Sequence, residues 1–328
     1  MIYRELAPYL KEKYGTRVQR ISISHFRTCP NRDGTVGVGG CTFCEETGSG
    51  FANRFRNLEV KTQIAEGMKI ARGKYKAAKF MAYFQSFTNT YGPIEELERV
   101  YNEAIVDGVV ALDISTRPDV FSEEIAQLLK EISFRRKVDI FVEFGLESVN
   151  ENTLAAVNRG HSVGEFIDSV LRAKNYEFET VAHVILDFPS DTINDEIACA
   201  KILSALKVNG VKMHSLYLIA GTKMGQDYIE GKIKPLDAKA YIDRAVAFLS
   251  HLDPQIVIHR IISTPPENAI HSIGLSSAQA RNLMETEMIK NSKFQGSDFN
   301  YLDGGSWRKK FFERSNSNGI RSDGQRIG

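Results

Sequence analysis

The stretch RVQRISISHFRTCPNRDGTVGVGGCTFC, residues 17–44, runs from a β-branched segment straight into a loop that carries three of the chain's four cysteines. Its first eight residues, RVQRISIS (17–24), have the composition of a strand. The cysteines follow as Cys29, Cys41 and Cys44, spaced C-x11-C-x2-C. Disulfides need pairs and a closed zinc site needs four ligands, so a trio of thiols leaves one corner open. Thiolates suit zinc or iron–sulfur clusters, and three ligands on a cubane leave one iron free for another molecule. Gly34, Gly37, Gly39 and Gly40 give the loop the backbone freedom that wrapping such a group requires.

Outward from this stretch a rhythm sets in. Strand-like runs recur at KFMAYFQSF (79–87), VVALDIS (109–115), VDIFVEFGLES (138–148), TVAHVILDF (180–188) and VKMHSLYLI (211–219), each followed by a helical pattern. SVGEFIDSVLRAKN shows the helical pattern most clearly: Val163, Phe166, Ile167, Val170 and Leu171 share one face, and Ser162 with Glu165 forms a capping box. Thr192 and Asp195 open the next helix in a near match to that box. Six strand–helix alternations imply a parallel sheet with helices outside it, either curled into an open barrel or flat and doubly wound. In both, ligands collect at the carboxyl ends of the strands, where the cysteine loop lies. A short helix with Tyr3, Leu6, Tyr9 and Leu10 inward precedes the first strand. After residue 235 the rhythm changes to a helix (237–251), a strand QIVIHRII (255–262) and a helix (276–291), an extension expected to cover the sheet edge.

The composition, 42% hydrophobic and 25% charged, is that of a globular protein, and the net charge of +1 supplies no chain-wide field toward nucleic acid or membrane. No apolar run nears the roughly 20 residues of a spanning helix, and the first residues lack a signal-peptide pattern. The expected location is the cytoplasm, where clustered cysteines bind metal or do chemistry more often than they form disulfides.

The three-cysteine loop after strand one, closed by C-x2-C with Phe43 inside it, resembles the radical S-adenosylmethionine (SAM) superfamily. The long x11 spacer is similar to its YhcC/YtqA-type branch, which is related to the elongator catalytic-subunit type. FQSFTNTYGP (84–93), STRPD (115–119), EFGLES (143–148), NRGH (158–161), VKMHSLYLIAGT (211–222), VIHR (257–260) and QG (295–296) carry the likeness across residues 1–296. The resemblance implies an α/β fold, an open (β/α)6 partial TIM barrel with a C-terminal α+β extension. Residues 1–235 would be the barrel with its cluster loop at 25–50, residues 236–296 the extension, and residues 297–328 a frayed tail.

The resemblance also implies that Cys29, Cys41 and Cys44 hold a [4Fe–4S] cluster whose fourth iron binds the amino and carboxylate groups of SAM. The backbone near Phe43 would lie under the adenine. Gln85, Thr88 and Asn89 would bind the SAM amino group, and Glu143, Ser148 and Arg159 would face its ribose and carboxylate. Arg117 would sit in the substrate cavity or pair an acid, and with His183 it is the candidate for substrate contact. SAM cleavage, driven by a reduced flavodoxin- or ferredoxin-type donor, would yield a 5′-deoxyadenosyl radical that takes a hydrogen atom from the substrate. The branch resembles enzymes of tRNA wobble-uridine maturation, implying a tRNA substrate and remodelling of a carboxymethylaminomethyl group to aminomethyl. One departure is DFPSD (187–191), where Asp187 stands in place of a usual glycine.

Other readings of the same residues remain. His25 could complete a Cys3His zinc site in a non-enzymatic RNA- or protein-binding module. The same radical chemistry could act on a small metabolite or peptide. Cys199 shares a helical stripe with Ile202, Leu203 and Leu206 and reads as core. His183 and His214 alternate with apolar neighbours, as substrate-facing or satisfied core residues both do. His161 could simply satisfy backbone, the pair His259–Arg260 reads either as substrate contact or as strand, and Arg117-Pro118-Asp119 reads equally as a turn. The runs KYKAAK (74–79) and RKKFFER (308–314) read as solvated surface, whereas Arg17, Arg20, Arg27 and Arg32 form a candidate phosphate patch.

Overall fold

A computed structural model describes residues 2–25, 28–45 and 54–299. Arg27, the last five residues of the expected cluster loop (46–50) and the tail from residue 300 lie outside them. The elements in chain order are α1 (Leu6–Tyr14), β1 (Val18–Ile23), α2 (Val60–Tyr75), β2 (Lys79–Phe84), α3 (Ile94–Ala104), β3 (Val109–Thr116), α4 (Glu123–Arg136), β4 (Asp139–Glu147), α5 (Glu151–Ala156), α6 (Val163–Asn175), β5 (Glu179–Ile185), α7 (Ile193–Leu206), β6 (Gly210–His214), β7 (Leu218–Ile219), α8 (Lys223–Ile229), α9 (Ala238–His251), β8 (Val257–Arg260), β9 (Ala269–His271) and α10 (Ser277–Lys290). Both capping boxes read from sequence form at α6 and α7, and a third, Ser276 with Gln279, starts α10.

Seven strands form one parallel sheet in the order β1-β2-β3-β4-β5-β6-β8. The two end strands do not pair with each other, so the sheet is a curled half-barrel left open. The segment 255–262, expected to lie over the sheet edge, instead supplies the seventh strand. The chain between β6 and β8 is long enough for a parallel crossover, and Val257 and Ile258 bury on the sheet. The outer side of β8 is covered by the N-terminal segment: Ile258 N donates to Arg4 O at 2.7 Å. Gln295 locks this seam by accepting from Arg4 N at 2.9 Å and donating to Asp253 O and Ile256 O at 2.8 Å each.

The long sixth strand read from sequence breaks in two. Leu216 N leaves the ladder and donates to Asp187 Oδ1 at 2.6 Å, so β7 peels off to pair antiparallel with β9.

The barrel interior is layered by the period-two alternation of each strand. At the bottom, Met81, Ala111, Phe141 and Val181 form one buried cluster with Leu10 of α1. Tyr9 and Tyr14 fix α1 there by hydrogen bonds of 2.6 Å to Glu179 and Asp139, at the starts of β5 and β4. A charged layer lies above this plug, and the cavity above that. Between sheet and helices, Ile23, Phe80, Leu112, Val142 and Phe144 belong to the main core.

Leu10 is 3% exposed and closes the bottom layer, so Leu10→Ala is expected to lower unfolding stability by about 2–4 kcal/mol in a urea titration. An unchanged midpoint would mean that α1 is not a structural plug.

Candidate active site

The cysteine loop folds on its own backbone and on its neighbours. Arg32 N donates to Cys29 O and Gly40 N to Asn31 O, both at 2.8 Å, and Gly40 holds a left-handed φ of 78°. Thr42 N donates to Val157 O, and Thr42 O accepts from Met224 N, both at 2.9 Å. These bonds tie the loop to the turn after α5 and to the start of α8. Cys29, Cys41 and Cys44 line one cavity of about 450 Å³ at the carboxyl ends of the strands.

Arg159 is the fixed counter-charge of this loop. Its Nη1 lies 3.6 Å from Cys41 Sγ, its Nη2 donates to Gly145 O at 2.7 Å and stands 3.4 Å from Glu147 Oε1. A Cβ on Gly145 would lie 2.3 Å from that Nη2, so only glycine leaves room for the guanidinium. Burial opposes the charge of Arg159, but the Cys41 sulfur and Glu147 outweigh it and hold the group protonated, above its ordinary value. The motifs around it are its brackets. Arg117 grips Asp119 through Nε (2.9 Å) and Nη2 (2.7 Å) and donates from Nη1 to Arg159 O at 2.7 Å. His161, kept neutral by burial and by Arg159 and Arg117, donates from Nε2 to Gly145 O at 2.9 Å.

The donor set fits an anionic metal–thiolate group. Asn31 Nδ2 donates to Cys41 Sγ at 3.7 Å, so N–H groups face that sulfur from two sides. Burial and the Cys41 sulfur push the Cys44 thiol up, against Arg32, a cost that metal ligation of the thiolate removes. Among the described residues no three His, Cys, Asp or Glu side chains close on a single point as one ion would require. His25 turns away from the thiols to Glu96 of α3, at 3.0 Å, and does not line the cavity; the Cys3His arrangement is not formed.

Gln85 and Thr88 from the end of β2, Glu143 of β4 and His183 of β5 line the same cavity, with Phe43 packed 5.7 Å from Phe188. Two other residues read toward SAM lie behind its wall. Asn89 is fully buried and donates to Phe84 O at 3.2 Å and Ser115 O at 2.8 Å. Ser148 donates to Asp191 Oδ2 at 2.7 Å and accepts from Asn150 N at 3.0 Å.

Glu143 is the hub of the charged layer that floors the cavity. Its Oε1 is 3.1 Å from Arg20 Nη2, and its Oε2 accepts from Ser115 Oγ at 2.9 Å, from His183 Nε2 at 2.9 Å and from the Lys212 ammonium. Arg20 Nε lies 2.9 Å from Asp113, and Lys212 Nζ donates to Tyr83 Oη at 2.7 Å. Burial works against the Glu143 charge, but Lys212 and Arg20 hold it well below the usual carboxylate range, while burial and Arg20 lower Lys212. Sequence reasoning passed over Tyr83, Asp113, Lys212 and Asn31. A visible signal existed for Asp113 and Lys212, each a charge in mid-strand of an apolar run.

Among the described residues, Arg17, Arg20 and Arg32 do not form the expected phosphate patch. Arg20 points into the barrel; Arg17 stacks 5.1 Å over Tyr75 at the opposite end of β1; Arg32 folds back on Cys44 O and Glu45 O at 2.7 and 2.6 Å. Strand length separates Arg17 from the mouth, and alternation turns Arg20 inward. Cys199 is buried in the main core. Asp187 does not line the cavity; it holds the β6–β7 bend, and burial pushes its carboxyl up to about 7.

A half-barrel with three thiols at its mouth, a locked guanidinium beside them and a charged floor below defines a metallocluster enzyme of the partial-barrel class. Residues 23–201, more than half of the chain, match the Radical SAM superfamily, and residues 208–291 match the Radical_SAM C-terminal domain. The chain therefore belongs to the radical SAM superfamily: it is a radical SAM enzyme, with a [4Fe–4S] cluster and SAM as its cofactors. It is similar to YtqA of Bacillus subtilis, 31% identical over 306 residues, which are 92% of this chain and 94% of that one. It is also similar to YhcC of Escherichia coli, 27% identical over 77% of this chain and 80% of that one. The structure of the Methanocaldococcus infernus Elp3 with an N-terminal deletion shares the fold, with a TM-score of 0.64 at 18% identity over 85% of this chain and 64% of that one. Among the described residues no helix is long and apolar enough to cross a membrane.

Glu143→Gln is expected to cost roughly 3–5 kcal/mol of stability, because Arg20 and Lys212 lose their shared counter-charge. The double variant Glu143→Gln/Lys212→Met should lose less than the sum of the two single variants in the same denaturant titration; a loss equal to that sum would mean that the pair is not coupled. The raised Asp187 pKa acts with a definite sign. Its contribution to stability is full below the unfolded carboxyl pKa, near 4, and is lost as pH rises through about 7. Wild type should therefore lose stability relative to Asp187→Asn between about pH 5 and pH 7, and a constant difference across that range would contradict the assignment.

Proposed function

We propose that this radical SAM enzyme modifies the side chain of a tRNA wobble uridine, remodelling carboxymethylaminomethyl to aminomethyl, with a reduced flavodoxin- or ferredoxin-type protein as electron donor. The observation that carries the reading is the meeting, in one cavity, of the three thiols with the polar ends of β2, β4 and β5. The resemblance to the YhcC/YtqA-type branch supplies the substrate class. Cys29, Cys41 and Cys44 hold the cluster. When bound, cluster and SAM together supply hydrogen-atom abstraction from an unactivated carbon.

The chain's own residues bind, orient and exclude water. Gln85 and Thr88 offer acceptors to the SAM amino group, and the backbone at Phe43 offers a platform for its adenine. Arg159 holds a fixed positive charge for thiolate and carboxylate alike. Asn89 and Ser148 brace these groups from behind. Arg117 positions Arg159 and forms part of the wall that the substrate meets, while His183, oriented by Glu143, faces the substrate from the floor. A flipped-out loop base can enter such a cavity without a separate RNA-binding domain.

The test is anaerobic reconstitution followed by dithionite, SAM and a 5′-deoxyadenosine assay, in parallel with retention of tRNA across a salt series. Cys41→Ala is expected to reduce deoxyadenosine to background, and tRNA retention should fall steeply with salt. Turnover without salt-dependent tRNA retention would remove the RNA reading and leave a small metabolite or peptide as substrate. Turnover unaffected by Cys41→Ala would remove the ligand assignment.

A further inference from the structure

In sequence His259 and Arg260 read as one pair, and a regular strand would send them to opposite faces. The structure does not separate them in that way. Between β6 and β8 the register slips: Val211 pairs with Ile258, but the next residue, Lys212, pairs with Arg260. His259 becomes the extra residue. It is buried in the charged layer, with Nδ1 2.8 Å from Arg20 Nη2 and 3.8 Å from Glu143 Oε1. Arg260 lines the cavity above it. Register slips of this kind re-aim side chains beside functional sites.

Arg260 differs from the other arginines of the cavity. Arg32 is held by two carbonyls, Arg117 by Asp119, and Arg159 by Gly145 O and Glu147. Among the described residues no hydrogen-bond or ion-pair partner engages the Arg260 guanidinium. The carboxylates of the cavity are engaged elsewhere: Glu143 in the charged layer, Glu147 by Arg159, and Glu45 by Asn268 at 2.8 Å. Ser263 and Thr264, in the segment after β8, line the same cavity. Ser263 Oγ is 2.9 Å from His214 Nδ1, and His214 Nε2 is buried with no partner among the described residues.

We propose that Arg260, with Ser263 and Thr264, forms the anion subsite for the molecule being modified, taking a carboxylate or phosphate group of the substrate. The guanidinium fork matches the paired oxygens of either anion, and the hydroxyls supply the remaining donors. The two anions share this chemistry. The proposal rests on the cavity being the reaction chamber of a radical SAM enzyme; it does not depend on the substrate being RNA.

The test uses reconstituted holoenzyme saturated with SAM, titrated calorimetrically with inorganic phosphate and, separately, with acetate. SAM affinity and substrate-independent deoxyadenosine formation are measured on the same samples. Wild type is expected to bind at least one of the two anions, and which one binds tells phosphate from carboxylate. Arg260→Gln should lose roughly tenfold or more of that affinity, and Arg260→Lys should lose less. SAM affinity and deoxyadenosine formation should be unchanged in both variants. Failure of wild type to bind either anion, or equal anion affinity in Arg260→Gln, would overturn the proposal. So would a parallel loss of SAM affinity, which would assign the guanidinium to the carboxylate of the cofactor. None of these outcomes depends on tRNA retention, so the RNA reading stands or falls separately.

Discussion

Thiols gathered at the mouth of one cavity repel one another once ionised, and the site depends on a counter-charge that cannot move. Arg159 provides it. A long arginine side chain ordinarily loses its geometry to rotamer freedom, but here three residues on two separate pieces of chain fix it. Gly145 opens the space for the guanidinium and its carbonyl accepts a hydrogen bond from it, Glu147 balances it, and Arg117 holds the backbone of residue 159 itself. The same carbonyl, Gly145 O, also takes the His161 donor. The short motifs at 115–119, 143–148 and 158–161 are therefore one structural unit, assembled around a single charge beside Cys41.

The barrel beneath this unit is ordered by polarity. An apolar plug at the bottom excludes water from below, so the charged layer above it sits in a medium of low dielectric where each ion needs its partner. Glu143 satisfies that need for Arg20 and Lys212 together and also orients His183. The floor of the cavity is thus rigid and pre-oriented before any ligand arrives, which is the condition under which a site can position a reactive group. The carboxylate that keeps the barrel charge-balanced also sets the His183 imidazole that lines the cavity.

Much of this was legible in the chain. Parallel strands buried on both faces read as apolar runs, so six strands, their helices and the strand-end position of the cysteine loop followed from local pattern. What pattern does not carry is the choice of a distant partner. The strand at 255–262 has the right composition, but only a crossover of some length decides that it joins β6 in the sheet. The break after His214 depends on Asp187, nearly thirty residues earlier, capturing one amide. Alternation held a signal that went unused: a charge on the inward parity of a two-sided strand, as at Asp113 or Lys212, has to be paired in the barrel. Arg20 has that parity, and grouping it with its neighbours by charge alone assigned it to a phosphate patch at the mouth instead of to the barrel interior.

Alternation itself fails at one place, and the failure is instructive. With strict period two, either His259 or Arg260 would face the helices, and the barrel would have either a histidine in its charged layer or an arginine at its cavity, not both. The slip against β6 admits one extra inward residue at the last strand of an open sheet, where no further strand has to follow the altered register. A closed barrel would have to carry such an irregularity around its whole circumference. An open one can accept it at the edge, and there the sheet places an exposed guanidinium, with no partner among the described residues, over a floor whose own charges are already matched.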